Sequence, residues 1–176
     1  GDLSQAKREA ILSKMEDNSA LFLYGSGVPY FSEDGYMKGF AKSGLDLDYF
    51  YFTGQEQSNG ILILYKLDGV CHEKLFVEEK IIEDELWSGK IKSIYEVMAE
   101  THIDDVVLLD EYLGFLDELL GKNTLDKVYF NIKPAKKMNI PDPLTLYIDL
   151  LQEQYGKLNI GNIYDEITPL RMVKTK

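Results

Sequence analysis

Few side chains in this sequence are suited to catalysis. Histidine occurs twice, at His72 and His102, and the single cysteine is Cys71. A structural zinc site needs about four Cys or His ligands, which these three residues do not supply. A Cys71–His72 nucleophile pair is disfavoured, because neighbouring residues in a strand point to opposite faces. We therefore expect this chain to contain no catalytic residue, no metal site and no bound cofactor.

Two further patterns suggest ligand binding but are incomplete. Gly25-Ser26-Gly27 follows an apolar run, as a dinucleotide-binding loop does, but the third glycine is missing and Pro29 stands where a helix should open. The carboxylates of Asp34, Asp46 and Asp48 could hold Mg²⁺ in a nuclease of ribonuclease-H type. Such an enzyme needs a basic surface for its polyanionic substrate. Turn formation and helix capping explain these aspartates better.

The charge distribution also argues against nucleic-acid binding. The net charge is −11, and the segment 78–118 alone carries thirteen acidic residues against three lysines. Nucleic-acid binders show clustered basic residues instead. The longest apolar runs are far shorter than the roughly 20 residues of a membrane-spanning helix. A single cysteine and the lack of a visible leader are typical of the cytoplasm, so we predict a cytoplasmic location with no membrane or nucleic-acid partner.

The elements that must position these residues change character along the chain. In the first half, a helix is predicted over Ser4–Asp17, followed by β-rich runs that suggest an antiparallel meander and by a long loop over residues 26–47. These runs are Ala20–Tyr24, Asp48–Thr53, Gly60–Tyr65 and Lys74–Glu78.

In the second half, strands alternate with helices. Val106–Leu109 and Val128–Asn131 read as strands, and helices are predicted to begin after the caps Ser93 and Asp142. This alternation favours parallel crossovers. The whole chain is therefore predicted to be α/β, with a mixed β-sheet flanked by helices.

Five short motifs follow one another in a fixed order. They are REAIL through M-x-x-x-S-A-L-F-L (8–23), DYFYFTG (48–54), GILIL (60–64), ELWSGK (85–90) and LRMVKT (170–175). Together they resemble the N-terminal domain of the Xaa-Pro aminopeptidase and prolidase family. The chain departs from the family at residues 44–47, where Gly-Leu-Asp-Leu replaces the usual R-Q-(D/N)-S.

The resemblance implies a domain organisation and a division of labour. Residues 1–165 would form a creatinase/prolidase N-terminal domain with ribonuclease-H-like topology, and residues 166–176 would begin the linker to a C-terminal pita-bread catalytic domain. In that domain two Asp, one His and two Glu hold two divalent metal ions, usually Mn²⁺. This fragment is then expected to be inactive, and the full-length protein to be a hydrolase, a metalloaminopeptidase that removes the N-terminal residue preceding proline.

Site residues and partners are implied in the same way. The resemblance assigns Trp87 and Asp34 to substrate binding, with a proline-containing peptide as substrate. The expected partners are the protein's own catalytic domain and further subunits in a homodimer or homotetramer, so that this domain contributes to oligomerisation and shapes access to the active site. Two alternatives stay open: the N-terminal domain of a prolidase (Xaa-Pro dipeptidase), and a free-standing binding or scaffold domain of the same fold.

Overall fold

A six-stranded mixed sheet organises the chain, and a short hairpin stands beside it. The computed structural model describes residues 2–80, 91–134 and 142–172. The strands are β1 (Ser19–Tyr24), β2 (Pro29–Phe31), β3 (Met37–Phe40), β4 (Gly60–Leu67), β5 (Val70–Val77), β6 (Val106–Leu108), β7 (Lys127–Phe130) and β8 (Ile160–Asn162). The helices are α1 (Asp2–Lys14), α2 (Leu47–Thr53), α3 (Ile94–Thr101), α4 (Tyr112–Gly121), α5 (Pro143–Tyr155) and α6 (Tyr164–Met172), with a 3₁₀ turn at Leu109–Glu111.

The strand order of the sheet is β6-β5-β4-β1-β7-β8. Strands β1, β4 and β5 form an antiparallel meander, whereas β7 runs parallel to β1, β8 to β7 and β6 to β5. The predicted mixed α/β sheet with flanking helices is therefore confirmed. A meander extended by parallel strands beside its first strand also matches the ribonuclease-H-like topology that the resemblance implied.

Helices cover both faces of the sheet. Since successive side chains of a strand point in opposite directions, one strand can contribute to two separate cores. Leu21 and Leu23 of β1 belong to a core shared with α1, α2, α3 and α6. Phe22 and Tyr24 of the same strand belong to a second core, shared with α4 and α5. None of the helices in the described ranges is long and apolar enough to cross a membrane.

The segment Asp48–Thr53 is a helix, and the strand predicted from its aromatic residues is wrong. The preference of aromatic residues for strands reflects packing on a pleated surface more than the backbone itself. Here Asp46 caps α2, and its carboxylate accepts hydrogen bonds from first-turn N–H groups at 3.0 and 2.9 Å. Tyr49 and Phe52, three residues apart, are buried on the same helical face. Gly54 ends the helix in the left-handed conformation, with φ at 67°.

The residues between β1 and α2 are also more regular than predicted. Instead of one long loop, they contain the hairpin formed by β2 and β3, in which Pro29 pairs with Phe40. The two strands have only three and four residues. Runs this short leave too little periodicity to be recognised from the sequence.

Candidate functional site around helix α2

A compact group of opposite charges surrounds the N-terminal end of α2. Asp48 is fully buried, and its Oδ1 lies 3.0 Å from Nη1 of Arg171. Its Oδ2 accepts a hydrogen bond from the Asn131 amide at 2.6 Å and lies 3.4 Å from Nζ of Lys133. The same ammonium group donates to Oδ2 of Asp46 at 2.6 Å. Two carboxylates thus face two cations in one cluster.

The charges of this cluster are paired with one another and stabilise the fold. Burial alone would lower the pKa of Lys133, but its hydrogen bond to Asp46 and the charges of Asp46 and Asp48 raise that pKa above the ordinary value. The contact between Asp48 Oδ1 and Arg171 is an ion pair without the alignment of a hydrogen bond. Asp46 and Asp48, two of the three aspartates that could have held Mg²⁺, are therefore engaged by cations of the protein itself.

The cluster ties α2 to two distant parts of the chain. Asn131 and Lys133 follow β7, and Arg171 lies in the last turn of α6. A second contact joins the same helices, since the Tyr51 hydroxyl donates to the Leu170 carbonyl at 2.7 Å. The end of α6 is thus attached to α2 at two points.

An open groove of about 440 Å³ lies on the outer side of α2. Its walls come from α1, α2 and the end of α6, and its lining residues are Leu3, Ser4, Lys7, Leu47, Phe50, Tyr51, Gly54 and Arg171. The side chains of Leu3, Leu47 and Phe50 are 58%, 66% and 39% exposed. A surface of this kind can bind an apolar segment, and its lining includes no nucleophile paired with a base.

Arg8 has a structural role in the fold that was not predicted from the sequence. Its guanidinium is fully buried and donates to the carbonyls of Phe52 and Thr101 at 2.9 and 2.7 Å, and to the carboxylate of Glu73. It therefore joins α1 to α2, α3 and β5. A signal was present, because Arg8 shares the helical spacing of Ile11 and the other apolar residues that face the sheet.

The structure describes only one of the two residues that the resemblance assigns to substrate binding. Asp34 is exposed in the turn between β2 and β3, and its role in substrate binding stays a prediction. Trp87, with the whole motif over residues 85–90, lies outside the described residues. So do residues 173–175 of the last motif.

The remaining candidates are placed apart from any reactive arrangement. Cys71 is exposed in β5, and His72 stacks on the ring of Tyr65 with centroids 4.8 Å apart. His102 ends α3 in the left-handed conformation. Among the residues that the structure describes, no group of three or more His, Cys, Asp or Glu side chains is placed to hold a metal ion. In the described part of the fold, the charges of Arg8, Asp46 and Asp48 are used in structural contacts.

Comparison with known proteins identifies the class. The family model described as the aminopeptidase P N-terminal domain matches residues 4–129. The chain therefore belongs to the family of aminopeptidase P N-terminal domains. A search of the curated proteins finds no significant match.

Solved structures of similar proteins extend the match over nearly the whole chain. A protein assigned as an aminopeptidase P from Bacillus anthracis superposes with a TM-score of 0.84 at 25% identity, over 99% of this chain and 41% of that one. Aminopeptidase P from Escherichia coli, in a low-pH form, gives 0.71 at 20% identity, over 99% and 39%. Proline aminopeptidase P II from Yersinia pestis gives 0.68 at 20%, over 99% and 39%. The chain spans about two fifths of these proteins.

Proposed function

We propose that this chain is the non-catalytic N-terminal domain of a longer, metal-dependent Xaa-Pro aminopeptidase. The observation that carries the proposal is the family match over residues 4–129, together with a fold shared over 99% of this chain with proteins more than twice its length. The longer enzyme would remove the N-terminal residue that precedes proline. The single cysteine supports a cytoplasmic location for it.

In this proposal the reaction takes place in the part of the protein that follows. A pair of divalent metal ions, which we propose to be Mn²⁺, would activate a water molecule there for attack on the Xaa-Pro bond. The described residues of this chain offer no ligand set for those ions. No step of the hydrolysis is therefore assigned to them.

The proposed contribution of this domain is assembly and access. In a homodimer or homotetramer it would pack against neighbouring subunits and narrow the entrance to an active site. Trp87 and Asp34 are the residues we propose to contact the proline-containing peptide. The exposure of Asp34 in the turn between β2 and β3 is compatible with such a contact. A narrow entrance would admit short peptides and exclude folded proteins.

Activity measurements on two lengths of chain test the proposal. We expect the 176-residue chain to release no amino acid from a peptide with proline at its second position, with or without Mn²⁺. The protein from the complete reading frame should release the N-terminal residue from this peptide but not from a matched peptide with alanine there. Mn²⁺-dependent release by the 176-residue chain, or none by the longer protein, would contradict the proposal.

Substrate length separates the aminopeptidase from the prolidase alternative. A prolidase would cleave an Xaa-Pro dipeptide and leave a pentapeptide with the same first two residues intact, whereas the proposed enzyme should cleave the pentapeptide. Replacing Trp87 by alanine in the longer protein should raise KM, since the proposed contact would be lost. An unchanged KM for this variant would remove Trp87 from the proposed substrate site.

A further inference from the structure

The groove on α2 exposes more apolar surface than the helices around it require. Leu3 and Leu47 come from different helices, yet both line the same groove. Both leucines lie in the first turn of their helix. Neither is needed to bury the sheet, since α1 and α2 already cover it with Ile11, Tyr49 and Phe52. Exposed apolar residues collected around one concave surface are typical of a docking site.

The chain leaves the described part of the fold at the rim of this groove. Arg171 lines the groove and is one residue short of the last described position, Met172. Its ion pair with Asp48 and the hydrogen bond from Tyr51 to Leu170 hold this exit against α2. The last described residues of the chain therefore lie at this groove.

The charge of the rim indicates what its occupant should carry. Nζ of Lys7 lies 4.1 Å from the centre of the Tyr51 ring, in a cation–π contact. Among the described residues, no carboxylate lies within ion-pair distance of Lys7. Arg171, by contrast, is already neutralised by Asp48. Lys7 is therefore the cation available to a partner, and it favours an acidic side chain.

We propose that this groove is the docking site for the polypeptide that follows the domain in the longer protein. The occupant is a segment with an apolar face that covers Leu3, Leu47 and Phe50 and with an acidic side chain beside Lys7. In the solved relatives, about three fifths of the chain lies outside the part matched here, so a partner of sufficient size is available. The inference rests on the proposed function to the extent that a further domain must follow.

Chemical labelling of Lys7 tests the proposal directly. The 176-residue chain and the protein from the complete reading frame are acetylated under identical conditions, and the rate at Lys7 is followed by mass spectrometry. We expect acetylation about tenfold slower in the longer protein, which corresponds to about 1.4 kcal/mol of protection. An equal rate at Lys7 in the two proteins would overturn the inference.

A matched pair of variants separates docking in the groove from general burial. The groove variant carries Leu3→Gln and Leu47→Gln, at positions 58% and 66% exposed. The control carries Leu146→Gln and Leu150→Gln on α5, at positions 51% and 61% exposed. In the longer protein, the groove variant should lose the protection of Lys7 and the control should keep it. Protection that both variants retain, or both lose, counts against the groove.

Other outcomes are equally decisive. If Lys7 of the 176-residue chain becomes protected as the concentration is raised, and the groove variant abolishes this, the occupant is a second copy and the proposal is wrong. A reading frame that ends at Lys176 would overturn both this inference and the proposed function. Protected Lys7 in a longer protein without peptidase activity would leave the inference standing and refute only the proposed function. Activity with Lys7 unprotected would refute only the inference.

Discussion

Replacing Asp48 by asparagine tests whether the buried carboxylate anchors the end of α6. Asparagine preserves the shape of the side chain but removes the charge that faces Arg171 and Lys133. It also weakens the hydrogen bond that Asn131 donates at 2.6 Å. The expected result is a loss of folding stability, because two cations then lack their common partner.

The magnitude follows from the burial of the groups involved. Breaking a fully buried ion pair costs about 3–5 kcal/mol when the remaining charge stays buried. Here the side chains of Arg171 and Lys133 are 34% and 43% exposed, so water can solvate both cations again. A hydrogen bond to a charged group contributes about 1.5–3 kcal/mol. We therefore expect Asp48→Asn to cost about 2–3 kcal/mol.

Asp46→Asn in the same cluster provides the control. Asparagine caps a helix about as well as aspartate, so this variant loses mainly the contact with the partly exposed Lys133. An exposed ion pair contributes about 0.2–1 kcal/mol. Urea unfolding followed by circular dichroism measures both variants. With a slope near 2 kcal/mol per molar, Asp48→Asn should lower the midpoint by about 1 M or more, and Asp46→Asn by less than about 0.5 M.

Equal losses in the two variants would refute this reasoning, since the buried carboxylate would then contribute no more than the exposed one. A double-mutant cycle locates the interaction. Asp48→Asn combined with Arg171→Gln should show a coupling of about 0.5–3 kcal/mol, as expected for residues in one charged network. Additive losses would mean that the ion pair does not hold α6 against α2.

Three further predictions concern the rest of the core. Arg8→Met should destabilise the chain by about 3–5 kcal/mol in urea unfolding, because it leaves two buried carbonyls and one carboxylate without their donor. Arg8→Lys should also be destabilised, since an ammonium group lacks the fork geometry of the guanidinium. Gly60→Ala should cost about 1–3 kcal/mol, because its Cβ would lie 2.1 Å from the Tyr49 hydroxyl oxygen, and Tyr49→Phe in the same chain should recover part of that loss. Burial raises the pKa of Tyr147 to about 12, above its ordinary value of about 10. The contribution of neutral Tyr147 to the folding stability should therefore be fully present below about pH 10 and fall as the pH rises towards 12. Tyr147→Phe should reduce the slope of stability against pH in this range by up to about 1.4 kcal/mol per pH unit.

Each of these predictions has an outcome that contradicts it. Full stability of Arg8→Lys would show that the guanidinium fork is not required. Strictly additive losses in the Gly60 and Tyr49 variants would mean that the two side chains do not compete for space. An unchanged alkaline slope in Tyr147→Phe would indicate that the deprotonation of other groups governs unfolding at high pH.

The sequence alone determined the family and most of the sheet. Residues 20–24 and 60–65 form nearly continuous apolar runs, which are typical of strands covered on both faces. Such runs predict strands without knowledge of their neighbours in the sheet. The first residues of two helices were also predictable from neighbouring residues in the sequence. Ser93 forms the expected capping box with Glu96, and Asp142 caps the helix that begins at Pro143. These signals depend on residues within one helical turn.

Only the tertiary structure decided which residues form the candidate site. Aromatic residues 49–52 fit a strand as well as a helix, and burial of one helical face against the sheet selected the helix. Likewise, nothing local indicates which distant groups the buried Arg8 contacts or that Asp48 meets Arg171. These contacts join residues far apart in the chain, and they exist because the packing of α1, α2 and α6 on one face of the sheet brings their ends together.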